Sequence, residues 1–208
     1  MVRQSQSIKR HPYQVRFLDL RVLDQEVKQE LLAAVDAVLS HGQLVLGPEV
    51  YALEEEIAKV SQMAHAVGVN SGTDALYLAL RALGIGPGDE VVTTSMSWIA
   101  TANAIALVGA EPKFVDIRDD LNIDPGLVEE AITPKTKAIL PVHYTGRVCN
   151  MDRILEISSR HGLDVIEDSA QAFGAKWKGG LAGSFGRVNC FSMNAMKVFS
   201  SFGEAGAV

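Results

Sequence analysis

The sequence predicts an α/β domain with a mostly parallel sheet covered by helices on both faces. Two observations carry this. From about residue 65 onward, short β-type runs alternate with helical stretches, a pattern that layers helices against a sheet. The chain has 208 residues, 48% hydrophobic and 21% charged; that is enough for one domain with a substantial core. No internal repeat and no Pro/Ser/Gly-rich linker divides it.

The elements follow in order. Asp24 is placed to cap a helix running to Ser40, with Val27, Leu31, Val35 and Leu39 along one face. His41-Gly42 ends it with a glycine of C-cap type. Gly47-Pro48 opens a second helix, with proline in the first turn and Val50, Leu53, Ile57 and Val60 as its apolar stripe. HAVGVN (65–70) predicts a strand, and a helix follows through DALYLALRALG (74–84). EVVTT (90–94) and KFVDI (113–117) predict strands on either side of a helix through IATANAIALVG (99–109). Asp124-Pro125 opens a helix through Leu127, Val128 and Ala131, and KAILPV (137–142) is the next strand. Asn150 caps the helix MDRILEISSRHG, which Gly162 closes. DVIED (164–168) and VNCFS (188–192) complete the strands. The final GEAGAV breaks off inside a new β-type run, so the sequence is expected to be a fragment of a longer chain.

Composition narrows the partners. Lys and Arg number 19 against 25 Asp and Glu, a net charge of −6; this disfavours nucleic acid and leaves small metabolites as the expected ligands. The two cysteines, Cys149 and Cys190, form no CxxC motif, so no metal site is expected and a reducing, cytoplasmic home fits best. The basic, polar residues 1–12 precede no signal-type apolar stretch. The longest apolar run, ATANAIALVGA, is too short to span a bilayer, so no membrane segment is expected.

Four segments could carry chemistry. In VNSGTDALYLAL (69–80) a glycine turn leads from strand to helix. The unpaired first amides of that helix, at Gly72, Thr73 and Asp74, suit a phosphate. A hydroxyl of Ser71 or Thr73 could add a contact; the plainer possibility is a Ser or Thr N-cap with nothing bound. Trp98 follows a strand end and could stack on a flat ring, or be a partly buried core aromatic. Glu167 and Asp168 close an apolar strand, so their side chains face opposite ways: one can face a ligand while the other meets solvent or the helix layer. Asp168 could hold a pyridine nitrogen protonated, with Gln171 bonding the same ligand, or it could simply cap the next turn. Lys197 lies among apolar and small residues, where a free amine can form a Schiff base, though a snorkelling surface lysine looks the same. Ser192, at a strand end, could contact a phosphate. Together these are the parts that pyridoxal phosphate requires.

In this order and spacing, LSHGQLVLGPEVYALEEEIA, NSGTDALYLALRALGIGPGDEVVTTSMSWIATANAI, GAEPKFVDI, ITPKTKAILPVH, VIEDSAQAFGA and FSMNAMKVFSSFGEAGAV resemble the DegT/DnrJ/StrS family of sugar aminotransferases, from about Phe17 onward. The resemblance implies the large domain of a fold-type-I enzyme using pyridoxal 5'-phosphate. It implies N-terminal helices at about 24–61, an α/β core at about 65–208, and a C-terminal small domain that this sequence lacks. Lys197 takes the place of the lysine that bears the cofactor and later shuttles the proton. Asp168 stands for the partner of the ring nitrogen, Gln171 for the contact to the ring hydroxyl and Trp98 for the stacking aromatic. Thr73, Asp74 (through its backbone) and Ser192 match the phosphate contacts.

The implied reaction moves an amino group from glutamate or glutamine to a keto sugar, usually nucleotide-linked, with a preference for C3. The implied assembly is a homodimer whose partner completes each site, so the 208-residue piece alone is expected to be inactive and poorly stable. Met193 and Ala195 replace a usual phenylalanine and proline, and Ala205 replaces a glycine whose backbone, if it needs positive φ, would be strained. Three other functions compete. Relatives with histidine at the position of Lys197 are dehydratases, and lysine weighs against that. A nicotinamide enzyme would need GIGPGDEVV (84–92) between strand and helix, whereas it lies between helix and strand. A non-catalytic regulatory protein could keep the fold.

Overall fold

The computed structural model describes residues 17–208; the basic segment 1–12 lies outside them. The described residues divide into two compact units, one ending at Gly42 and the other running from Gln43 to Val208. In the first, α1 (Gln25–His41) begins at Asp24, whose carboxylate accepts the Glu26 and Val27 amides. It ends at Gly42, left-handed at φ 72°, whose N–H returns to the Val38 carbonyl.

The second unit opens with α2 (Pro48–Ser61), where Pro48 starts the helix and left-handed Gln62 stops it. The remaining elements are β1 (Gly68–Val69), α3 (Gly72–Ala82), β2 (Glu90–Thr94), α4 (Ala100–Leu107), β3 (Glu111–Val115), α5 (Pro125–Val128), β4 (Thr136–Leu140), α6 (Met151–His161), β5 (Asp164–Asp168), β6 (Lys176–Trp177), β7 (Gly180–Leu181), β8 (Val188–Ser192) and β9 (Gly206–Ala207). A seven-stranded sheet has the order β1-β9-β8-β5-β4-β2-β3. The run from β8 to β3 is parallel, and β9 alone runs antiparallel to both neighbours.

The pleat sorts adjacent residues onto opposite faces. Val91, Leu140 and Ile166 pack with Leu76, Leu80 and Ile105 of α3 and α4. Val92, Ile139 and Val165 pack with Met151, Ile154 and Ile157 of α6. These central strands are therefore covered on both sides, as a parallel sheet must be.

The structure moves some boundaries. The expected strand 65–70 shortens to Gly68–Val69, with Val67 exchanging backbone hydrogen bonds with Val208 beside it. The strand expected at 113–117 sits at Glu111–Val115, on the sheet edge where Pro112 is tolerated, and Ile117 leaves to bridge Ile123. The helix after Asp124 lasts one turn before tightening into a 3-10 turn over Glu129–Ala131. The β6–β7 hairpin was not expected; its turn residues Lys178 (φ 48°) and Gly179 (φ 95°) both take the left-handed backbone of a tight hairpin.

Two glycines seat the start of α3 on the sheet. A Cβ on Gly206 of β9 would lie 2.4 Å from the Ser71 carbonyl oxygen, and a Cβ on Gly72 would lie 2.6 Å from Ser192 Cβ. Gly206→Ala is therefore expected to cost roughly 1–3 kcal/mol of stability through a backbone clash, read as a lower urea midpoint; a variant as stable as the parent would show that this close approach is dispensable.

Candidate functional site

The carboxyl ends of the parallel strands form one rim of the second unit, the usual place for a ligand in such a sheet. Because β9 is antiparallel to both β8 and β1, β1 runs with β8 and delivers the amino end of α3 to this rim. A cavity of about 590 Å³ opens there, the size of a small-molecule site. Gly72, Thr73, Trp98, Asp168, Gln171, Ser192 and Lys197 all line it, and Asp74 does not.

Each residue has a local reason for its position. Ser71 is the N-cap of α3, its Oγ accepting the Asp74 amide at 3.0 Å. That engages the Asp74 N–H, so the amides of the first turn still without an acceptor are those of Gly72 and Thr73. Ser192 ends β8 directly against Gly72. Trp98, 71% exposed, lies on the segment joining β2 to α4, at the mouth of the cavity and outside the core.

Asp168 ends β5 and is 5% exposed. Thr101 Oγ1 donates to its Oδ2 at 2.8 Å and the Ala170 amide to its Oδ1 at 3.2 Å. Burial pushes this carboxyl above the usual aspartate range, against the pull of those two hydrogen bonds. Gln171 accepts the Thr145 amide on Oε1 at 3.1 Å, which leaves its NH2 as the group it can offer a ligand.

Lys197 sits in the loop between β8 and β9. That loop is folded on itself: the Lys197 amide donates to the Asn194 carbonyl, the Ala195 amide to Gly203, and the Ser201 amide to Met193. The Asn194 side-chain amide donates to the Glu204 carboxylate, and both residues line the cavity. Ala205 is not among the residues with positive φ, so alanine at that position carries no backbone strain.

The expectation for Glu167 needs correction. It meets neither solvent nor bare helix; it is fully buried and hydrogen-bonded on every side. Oε2 accepts His143 Nε2–H at 2.8 Å and the Gly183 amide at 2.9 Å. Oε1 accepts the Phe185 and Gly186 amides at 2.7 and 2.6 Å. His143 Nδ1 accepts the Cys149 amide, which places the ring proton on Nε2. Burial alone would raise the Glu167 carboxyl; the bonds from His143, Gly186 and Gly183 outweigh it and hold it below the usual range. The thiols of Cys149 and Cys190 are buried and pushed up, which makes both inert.

Thr101, Asn194, Glu204 and His143 were not picked out from the sequence. Thr101 left one signal, the one hydroxyl in the largely apolar segment IATANAIALVG. The others were silent because their partners are remote in the chain or are backbone groups.

The fold and site define an α/β domain with a small-molecule cavity that brings a lysine, a buried aspartate and an anion-receptive helix end together. The chain belongs to the DegT/DnrJ/EryC1/StrS aminotransferase family, whose model matches residues 25–208. It is 48% identical over 195 residues to a dTDP-3-amino-3,4,6-trideoxy-alpha-D-glucose transaminase of Streptomyces venezuelae, covering 93% of this chain and 52% of that protein. It is 46% identical over 195 residues to a UDP-N-acetyl-3-dehydro-alpha-D-glucosamine 3-aminotransferase of Acidithiobacillus ferrooxidans, covering 93% and 53%. The crystal structure of NtdA from Bacillus subtilis with bound cofactor PMP superposes with a TM-score of 0.87 at 36% identity, covering 96% of this chain and 45% of that one. The chain thus spans about half the length of the curated relatives it matches. No helix among the described residues is long and apolar enough to cross a membrane.

Glu167→Gln puts an NH2 where two donors already point and is expected to cost about 3–5 kcal/mol in thermal or urea unfolding. The parent's Glu167 contribution is present above the unfolded carboxyl pKa and is lost as pH falls through the lower folded value. The variant's unfolding curve should therefore depend less on pH below about 4.5. Equal acid sensitivity of the two proteins would count against an ionised Glu167.

Proposed function

We propose that this chain is the cofactor-binding part of a pyridoxal-phosphate-dependent sugar aminotransferase. The observation that carries this is the single cavity that gathers Lys197, Asp168, Ser192, Trp98 and the amino end of α3. The site fits the group: Gly72 brings no side chain to the first turn of α3 and so lets Ser192 lie directly against it, and Asp168 is a buried acid on the cavity wall with two of its acceptor positions engaged.

In this proposal the Gly72 and Thr73 amides and the Ser192 hydroxyl hold the phosphate, where the helix dipole favours negative charge. Asp168 accepts the ring N–H, Trp98 covers a ring face, and the Gln171 NH2 meets the ring hydroxyl. When bound, pyridoxal phosphate supplies an electron sink and the carbon that carries the amino group. Lys197 supplies the amine that anchors the cofactor, and its Nζ then holds and moves the proton at the reacting carbon.

The substrate would be a nucleotide-linked keto sugar aminated at C3, with glutamate or glutamine as donor. Two relatives support this position, because both names place the amino group at C3 while their nucleotides differ. A second copy of the chain would cover the cavity mouth, forming a homodimer; the exposure of Trp98, Met196, Val198 and Phe202 around Lys197 supports that. A cytoplasmic location would suit the two free thiols.

The test is to incubate the full gene product with pyridoxal phosphate, reduce it with borohydride and map the labelled peptide. Label on Lys197 is expected, and Lys197→Ala should lose it along with at least ~10²-fold in amine transfer from glutamate or glutamine to a 3-keto nucleotide sugar. A parent protein that takes no specific label would end this proposal.

A further inference from the structure

The hydroxyl of Thr101 is 1% exposed at residue level and lies between two oxygens, 2.8 Å from Asp168 Oδ2 and 2.7 Å from Ser97 Oγ. A hydroxyl has one proton to give. If Asp168 is ionised it can only accept, so the Thr101 proton must point at it, and Ser97 must then donate to Thr101. If Asp168 is protonated the chain can reverse, with Asp168 donating to Thr101 and Thr101 to Ser97. The row Ser97–Thr101–Asp168 is therefore directional, and its first arrangement belongs to an ionised aspartate.

We propose that Thr101, backed by Ser97, is a positioning residue that keeps Asp168 ionised and turned toward the ring nitrogen of the cofactor. The proposal rests on the reading of Asp168 given above and adds the group on which that role depends. Thr101 occupies Oδ2 and the Ala170 amide occupies Oδ1, so the carboxylate is held from two sides within the wall. Burial pushes Asp168 toward its neutral form, and a neutral acid would lack the charge that holds the ring nitrogen protonated. Among the groups packed around it, Lys197 lines the same cavity without hydrogen-bonding the carboxylate, the His143 side chain is already committed to Glu167, and the buried Cys190 thiol is un-ionised. The Thr101 hydroxyl is the side-chain donor that touches the carboxylate directly.

The placement also accounts for a polar residue at an inward position of α4. Its neighbours on that inward side, Ala104 and Ile105, are fully buried in the apolar core. Thr101 lies one turn nearer the helix start, where Ser97, just upstream, can reach it.

The experiment uses the full gene product and two ligands, pyridoxal phosphate and its analogue with carbon in place of the pyridine nitrogen. They are alike everywhere except at the atom that would face Asp168. Affinities of both are measured by equilibrium binding for the parent, Thr101→Val and Thr101→Ser. Thr101→Val keeps the shape and removes the donor; it is expected to weaken pyridoxal phosphate ~10-fold, the scale of a hydrogen bond to a charged group. The same variant should leave the carbon analogue within about twofold of the parent, and Thr101→Ser should bind both as the parent does. Equal weakening of both ligands by Thr101→Val would mark Thr101 as merely structural and overturn the proposal. So would unchanged affinity for both, or a loss in Thr101→Ser as large as in Thr101→Val. A parent that binds both ligands equally well would instead refute the contact between Asp168 and the ring nitrogen, and the role of Thr101 would fall with it.

Discussion

A carboxylate buried at the end of a central strand needs hydrogen-bond donors on every side, and Glu167 has four: His143 and the amides of Gly183, Phe185 and Gly186. Those donors come from the loop after β4 and from the turn before β8. The charge therefore draws two separate stretches of chain onto the tip of β5. A Cβ on Gly186 would sit 2.6 Å from the Val165 carbonyl oxygen, so the turn can come this close only as glycine. Further links fix the same point: the His143 amide donates to the Asp168 carbonyl and the Asp168 amide to Pro141. With Glu167 locked on one face of the strand, the pleat leaves Asp168 no choice but the other, which is the cavity.

The other half of the site depends on a reversal in the sheet. After β8 the chain leaves the rim, folds into the loop carrying Lys197 and returns as β9, antiparallel between β8 and β1. The return brings Gly206 under the Ser71 carbonyl and leaves Ser192 against Gly72. A helix start, a strand end and the lysine loop are thereby brought into one wall of the cavity. None of the three could be placed by the others without the two glycines, since a methyl group at either would push the layers apart.

The two adjacent acids of β5 show how differently burial acts on a charge. Glu167 is matched by donors, and its hydrogen bonds more than offset desolvation. Asp168 is not matched to the same degree, and desolvation prevails. An acid left short of donors in a buried wall costs stability, and such a group points to a ligand that completes it. Stability and site chemistry are divided between neighbouring residues because a strand turns them to opposite faces.

Much of the architecture was legible in the chain itself. The caps at Asp24, Gly42, Asn150 and Gly162 form as their side chains or backbone freedom dictate, because a cap depends on neighbours within one turn. The strands 90–94, 164–168 and 188–192 fall where their apolar and β-branched runs end. Of the residues singled out by motif order and spacing, all but Asp74 line the cavity, whereas Thr101, Asn194 and Glu204 line it without having been singled out. The extent of β1, the position of edge strand β3 and the β6–β7 hairpin were not legible, since two-residue pairings are decided by what lies alongside. Equally hidden were the four-donor shell of Glu167 and the contact from Thr101 to Asp168 across 67 residues. The sequence by itself determined which residues could cap, pair and react, because those properties reside in single side chains and short runs. Only the tertiary structure decided which acid is sheltered and which faces the cavity, because that depends on donors brought in from distant loops.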